Sequence, residues 1–203
     1  MPTAGWGRLP TFFFPARLRT GGHVRMRSWR TFAWCLVISV PLLRQASAGA
    51  NPNPCAAPEQ RQLEFWVGEW DLTWPGEKPG ETVHGTNSIR RVLESCVVEE
   101  NFSGEAAMHL RGMSLSIYDT RAGKWKQTWV DNEGGYLDFV GEFKDGNMIL
   151  ARDAVRLDGT KVVQRMVFKN ITQSKFDWSW ESSSDGGKTW QVLWPIHYKR
   201  KRS

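Results

Sequence analysis

Hydrophobic and polar positions alternate strictly in the stretch Leu63-Glu64-Phe65-Trp66-Val67-Gly68-Glu69-Trp70-Asp71-Leu72-Thr73-Trp74 once Gly68 is passed. Trp70, Leu72 and Trp74 fall on one side and Asp71 and Thr73 on the other, which is the period of a half-buried strand. Just upstream, Pro58 suits the first position of a helix and Glu59 favours its N-terminus. A short helix from Pro58 to Phe65 is therefore expected to run through Gly68 into the first strand. Gly68 sits where a compact crossing of backbone over side chain is easiest, because it has no Cβ.

The pattern downstream predicts strands near residues 82–93, 96–103, 108–119, 124–131, 136–144, 147–157, 161–171, 175–182 and 189–199. Turn residues separate them, and Asp-Gly occurs three times between apolar runs, at Asp145-Gly146, Asp158-Gly159 and Asp185-Gly186. That dipeptide is a strong short-range hairpin signal. With the opening strand the count is about ten, no long helical pattern interrupts them, and the links are short. A meander of this length hides its two edges by closing, so the expected fold is all-β, an antiparallel up-and-down barrel of about ten strands with a short N-terminal helix. A propeller would need a repeat every 40 to 50 residues or so, and none is found.

Residues 1–48 read as a leader. Met26-Arg27-Ser28-Trp29-Arg30 is a basic start, Thr31 to Leu43 is apolar, and Ala46-Ser47-Ala48 has the small-x-small pattern of a cleavage site. The apolar run is too short for a stable membrane span, which needs about 20 residues. A cleaved signal peptide with translation starting at Met26 is expected, and with it a periplasmic or secreted protein. Residues 49–57 are a Pro- and Asn-rich linker, and residues 58–200 form the barrel domain. The leader also explains the net charge of +6. Residues 1–50 carry seven Arg and no acidic residue, leaving 20 Lys and Arg against 21 Asp and Glu, a net of −1, in the rest. Such a body offers no case for nucleic acid. The run Lys199-Arg200-Lys201-Arg202 is expected to be a solvated tail.

Export changes the meaning of the cysteines. Cys35 leaves with the leader, and Cys55 and Cys96 remain. In an oxidising compartment they make one possible disulfide; two free thiols are the alternative.

Nine of the twelve Trp lie beyond the leader. Strand parity groups Trp125 with Trp129, Phe176 with Trp178 and Trp180, and Trp190 with Trp194. They are either core or the wall of a cavity, since a barrel of this size can enclose a ligand. Trp129, Trp178 and Trp180 are the candidate wall residues. Arg152 and Arg165 interrupt strands; facing inward each would need an anion, from the protein or from a ligand, and facing outward they would form a solvated row. His84, His109 and His197 stand apart, without metal-ligand spacing. His197 in the last strand is the one histidine placed to ligate haem inside a barrel; an ordinary strand histidine is the alternative. No nucleophile elbow, phosphate loop or dinucleotide fingerprint occurs. Glu99 and Glu100 are adjacent in a strand and point to opposite faces. An enzyme is not expected, nor a cofactor.

Two short motifs and one broad resemblance add to this. Ser183-Ser184-Asp185-Gly186-Gly187-Lys188-Thr189-Trp190 resembles the Asp-box of sialidases and related propellers, a structural hairpin that brings no catalytic residues. Phe65-Trp66-Val67-Gly68-Glu69-Trp70, Ser116-Ile117-Tyr118-Asp119 with Gly123-Lys124-Trp125, Thr128-Trp129-Val130-Asp131 and Ser184 to Trp190 resemble an uncharacterised family of exported bacterial proteins grouped with the calycin-like (lipocalin and fatty-acid-binding-protein-like) barrels. Gly68-Glu69-Trp70 also resembles the Gly-x-Trp step of lipocalins, whose Trp closes one end of the barrel. The resemblance implies a barrel with an interior pocket for a small apolar or amphipathic ligand. A similarity to nitrobindin, which carries a His near its C-terminus, implies the alternative of haem on His197. A packed domain acting through its surface is a third possibility.

Overall fold

The structure is a computed structural model that describes residues 55–104 and 108–202. The leader through residue 48, its cleavage site and the Met26 start lie outside the described residues. Ten strands form one closed barrel: β1 Gly68–Pro75, β2 Thr82–Val92, β3 Val97–Ser103, β4 Arg111–Asp119, β5 Lys124–Asp131, β6 Tyr136–Lys144, β7 Asn147–Val155, β8 Lys161–Lys169, β9 Lys175–Ser183 and β10 Gln191–Arg200. Each pairs antiparallel with its neighbours in sequence, and β10 closes on β1 with Trp70 opposite Arg200 and Leu72 opposite Tyr198. The expected all-β, ten-stranded up-and-down barrel is what the chain forms.

Hairpin chemistry sets the strand ends. Lys144 pairs directly with Asn147, so Asp145-Gly146 is a two-residue turn, and both residues take positive φ (51° and 79°). That is the geometry whose twist matches antiparallel strands. β8 stops at Lys169 rather than running to residue 171, because Asn170 turns left-handed at φ 54°. β4 begins at Arg111 rather than residue 108, just past His109 at φ 54°.

The expected helix is present as two short 3-10 turns, Pro58–Arg61 and Glu64–Trp66, instead of one regular α-helical segment. They plug one end of the barrel. Leu63, Trp66 and Trp70 are wholly buried there, with Phe65 edge-on to Phe168 and Phe176. Trp70 in turn packs edge-on against Phe176 and Tyr198, and its indole N–H donates to the Trp66 carbonyl at 2.7 Å. Two guanidiniums bind the plug. Arg91 donates to the carbonyls of Gln60 and Ser95 and to Glu64. Arg200 donates to the carbonyls of Phe65, Val67 and Gln173 at 2.8–3.0 Å while its guanidinium carbon lies 4.2 Å from the centroid of the Trp70 ring. Arg200 is thus a structural bond and not part of a solvated tail; Lys201 next to it pairs with Asp71.

Cys55 and Cys96 form a disulfide, 41 residues apart. By loop-closure entropy such a bridge contributes roughly 4 kcal/mol. It ties the segment before the plug to the β2–β3 turn. That turn carries Leu93, Glu94 and Ser95 in succession at φ 49°, 56° and 68°, a left-handed run that costs L-residues about 1–2 kcal/mol each. The disulfide and the Arg91–Ser95 bond supply the tertiary hold that such a run needs.

Gly68 has φ +134°, and a Cβ there would overlap the Arg200 guanidinium. Gly68→Ala should therefore lower the unfolding free energy by about 2–4 kcal/mol, measured by urea denaturation. Gly80→Ala, also at positive φ but with open space around it, should cost clearly less. Equal costs at the two sites would remove the steric role of Arg200.

Candidate functional site

Alternation along each strand decides what faces the interior. Inward come Trp70, Leu72 and Trp74 of β1; Asn87 and Ile89 of β2; Val98, Glu100 and Phe102 of β3; and Ser114 and Ser116 of β4, all of them buried. Trp125 and Gln127 of β5, Phe176 of β9, and Ile196 and Tyr198 of β10 complete the same lining. At the plugged end these side chains fill the barrel. Toward the other end they do not, and a cavity of about 220 Å³ remains.

Trp66 and Phe168 form its floor, and Phe139, Met166 and Ile196 continue the wall. Trp129, Trp178, Trp180 and Trp194, with Phe102, make up an aromatic shell around it. Edge-to-face contacts hold the shell: Trp178 on Trp194 at 5.7 Å, Phe102 on Trp194 at 5.9 Å and on Trp129 at 6.0 Å, and Phe139 on Trp180 at 5.7 Å between centroids. Each such pair adds about 0.5–1.5 kcal/mol beyond burial and fixes ring orientation. Gly112 of β4 makes room for Trp129, since a Cβ there would overlap the indole. Trp129 is also tethered, its N–H donating to Asp131 at 2.9 Å; that bond, with the Gly135 amide, holds the Asp131 carboxyl below its usual range. The indole N–H groups of Trp66 and Trp194 are buried and have no hydrogen-bond partner among the described residues.

One carboxylate faces this apolar space. Glu100 is 7% exposed and lines the cavity. Asn87 Nδ2 donates to one of its oxygens at 2.7 Å and Ser114 Oγ to the other at 2.6 Å. Asn87 also donates to the Tyr198 hydroxyl, and Gln127 Nε2 donates to both Ser114 and Ser116. Burial pushes the Glu100 carboxyl up to about 7, against the smaller opposing effect of the Ser114 and Asn87 hydrogen bonds. Burial and the charge of Glu100 together hold the Tyr198 phenol well above its usual value.

The residues singled out from sequence divide. Trp129, Trp178 and Trp180 come together in the cavity wall. Arg152 is inside the barrel, bonded to Gln164 at 3.0 Å, in a separate polar depression with Ser183 and Ser184. Arg165 points outward: Gln164 and Met166 take the inward positions of β8, so Arg165 pairs with Glu181 at 2.6 Å and stacks on Trp190 at 3.6 Å. An inward anion partner at Arg165 is corrected on that ground. The same parity corrects haem on His197. Ile196 and Tyr198 face in, so His197 faces out, 65% exposed at its side chain and bonded to Asp177. The Asp-box segment is the turn it resembles: Asp185 accepts from the Lys188 and Thr189 amides and the Thr189 hydroxyl, Ser183 accepts from the Gly187 amide, and Trp190 donates to the Gly187 carbonyl. These bonds hold the Asp185 carboxyl far below its usual range. Among the described residues no cluster of three His, Cys, Asp or Glu could hold a metal, and no helix is long and apolar enough to cross a membrane.

Sequence reasoning passed over Glu100. Adjacent in β3, Glu99 and Glu100 face opposite ways, and Glu100 is the one that faces in. The flanking Val98 and Phe102, two residues to either side, carried the answer.

A carboxyl whose folded pKa lies above its unfolded value of 4.5 binds protons more tightly in the native state. Its contribution therefore favours folding below about pH 4.5 and is lost as pH rises through about 7. A shift of that size corresponds to roughly 3 kcal/mol. Between pH 5 and pH 8 the wild type should lose about 2–3 kcal/mol more stability than Glu100→Gln, read from urea unfolding at both pH values. Parallel losses in the two proteins would show that Glu100 does not titrate in that window.

A search of curated proteins finds no match to the chain. Residues 56–200, which span the whole barrel, match the family described as Protein of unknown function (DUF1579). The chain belongs to that family.

Proposed function

We propose that the protein is an exported, calycin-like carrier whose barrel binds one small, compact, largely apolar molecule. The observation that carries this is the unfilled end of the interior: about 220 Å³ walled by Trp, Phe, Leu, Ile and Met side chains, in a barrel whose plugged end is packed solid. Evolution of a stable fold alone favours filling such a space, because each missing contact costs dispersion energy and burial. Ligand pockets have this makeup, an apolar wall with few polar groups. Export is supported by the Cys55–Cys96 disulfide, which belongs in an oxidising compartment. Binding is preferred to turnover because, among the described residues, Glu100 is the one titratable side chain in the wall, and the Ser114 hydroxyl beside it is engaged with Glu100 and Gln127.

Native mass spectrometry of the protein purified from its own periplasm should show mass above the processed, disulfide-closed chain. Isothermal titration with 2-phenylethanol should show one saturable site. Trp178→Ala, which removes one face of the shell, should weaken that binding about tenfold while the barrel stays folded by circular dichroism. A clean apo mass together with no saturable binding would favour a packed domain that acts through its surface.

A further inference from the structure

The cavity has one feature that an apolar cargo alone does not explain, the orientation of the hydrogen bonds around Glu100. Gln127 donates to the Ser114 hydroxyl oxygen, so the hydroxyl hydrogen is free to point at Glu100, and Asn87 presents an N–H to the other carboxylate oxygen. Both oxygens accept a hydrogen bond, and above about pH 7 the group is an ionised carboxylate. Among the described residues no Lys, Arg or His forms an ion pair with it. The interior cation Arg152 is bonded to Gln164, and Arg91 and Arg200 are occupied with the plug. A buried carboxylate with no counter-cation is a costly arrangement unless something else brings the positive charge.

Resting on the carrier reading above, we propose that the ligand is a compact apolar amine. Its ammonium group sits against Glu100 and its hydrocarbon body lies within the shell of Trp129, Trp178 and Trp194. Each Glu100 oxygen has a lone pair to spare for an ammonium N–H. The ring faces of the shell attract a cation more strongly in a dry cavity than in water, and a carboxylate beside aromatic rings is a recognised chemistry for amine recognition. An anionic ligand would meet repulsion from Glu100, and a neutral alcohol would leave the carboxylate uncompensated. The volume, equal to about seven water molecules, suits a single ring or a short branched chain.

The groups facing Glu100 are Asn87 from β2, Ser114 from β4 and, one bond further out, Gln127 from β5 and Tyr198 from β10. None of these titrates between pH 6 and pH 8, since the Tyr198 phenol is held well above its usual value. Glu100, at about 7, does. An alkylammonium stays protonated throughout that range.

The test is a titration of the full chain with three probes of similar shape: 2-phenylethylamine, 2-phenylethanol and phenylacetate. At pH 8 the amine should bind at least about tenfold more tightly than the alcohol, and phenylacetate most weakly. On going from pH 8 to pH 6 the amine affinity should fall about tenfold with protonation of Glu100, while that of the alcohol holds within about twofold. In Glu100→Gln the amine should drop to the level of the alcohol; if that variant does not fold, the wild-type pH series decides alone. Equal binding of amine and alcohol at pH 8, or an amine affinity flat in pH, overturns the amine proposal and leaves the carrier reading standing. Tighter binding of phenylacetate likewise overturns it, in favour of a protonated Glu100. Binding of none of the three removes both.

Discussion

A ten-stranded meander becomes a barrel only if its last strand finds its first, and here that joint is held by the guanidinium of Arg200. It lies across from Trp70 in the β1–β10 pairing, stacks on the indole, and ties down the carbonyls of the two residues flanking Trp66. One side chain thus joins the closing strand, the opening strand and the plug. A lysine could not substitute, because a point ammonium lacks the planar fork that reaches several carbonyls while lying flat on a ring. Gly68 is part of the same joint: the backbone passes so close to the guanidinium that no Cβ fits.

Once that end is closed, the interior divides along its length. Near the plug, Leu63, Trp66, Trp70, Phe168 and Phe176 fill the space to a solid core. In the middle a polar strip runs from Tyr198 through Asn87, Glu100 and Ser114 to Gln127. Beyond it the aromatic shell surrounds empty volume. The solid end supplies the stability that the other end gives up, since a cavity and a buried carboxyl both work against folding. The Asp-box turn, with Trp190 over Arg165 and the Arg165–Glu181 pair, covers the outside of β8 and β9 where the shell's Trp178 and Trp180 are mounted.

Much of this was legible in the chain. Alternation located the strands, Asp-Gly pairs marked turns, and the two cysteines beyond residue 48 offered one possible disulfide, because all three depend on local chemistry. Parity within a strand grouped Trp178 with Trp180 and Trp125 with Trp129; that Trp129 and not Trp125 lines the cavity is decided by position along the barrel. Arg165 and His197 were harder: parity says which residues share a face but not which face is the inside, and for them the neighbours Val163, Val167 and Pro195 did not settle it. Arg200 looked like one residue of a basic tail. Its role depends on Phe65 and Val67, more than 130 residues away in sequence.

The sequence by itself determined the all-β meander, a short helical opening, the positions of the turns and the aromatic excess, because each is written in spacings of two to a few residues. Tertiary structure alone decided which face is interior where a strand's pattern is mixed, as at Arg165 and His197, how far the side chains fill the interior, and that, among the described residues, Glu100 stands in an apolar wall with no cation beside it. Those are properties of closure. They depend on the summed volumes and register of ten strands meeting in a ring, which no local window of the chain contains.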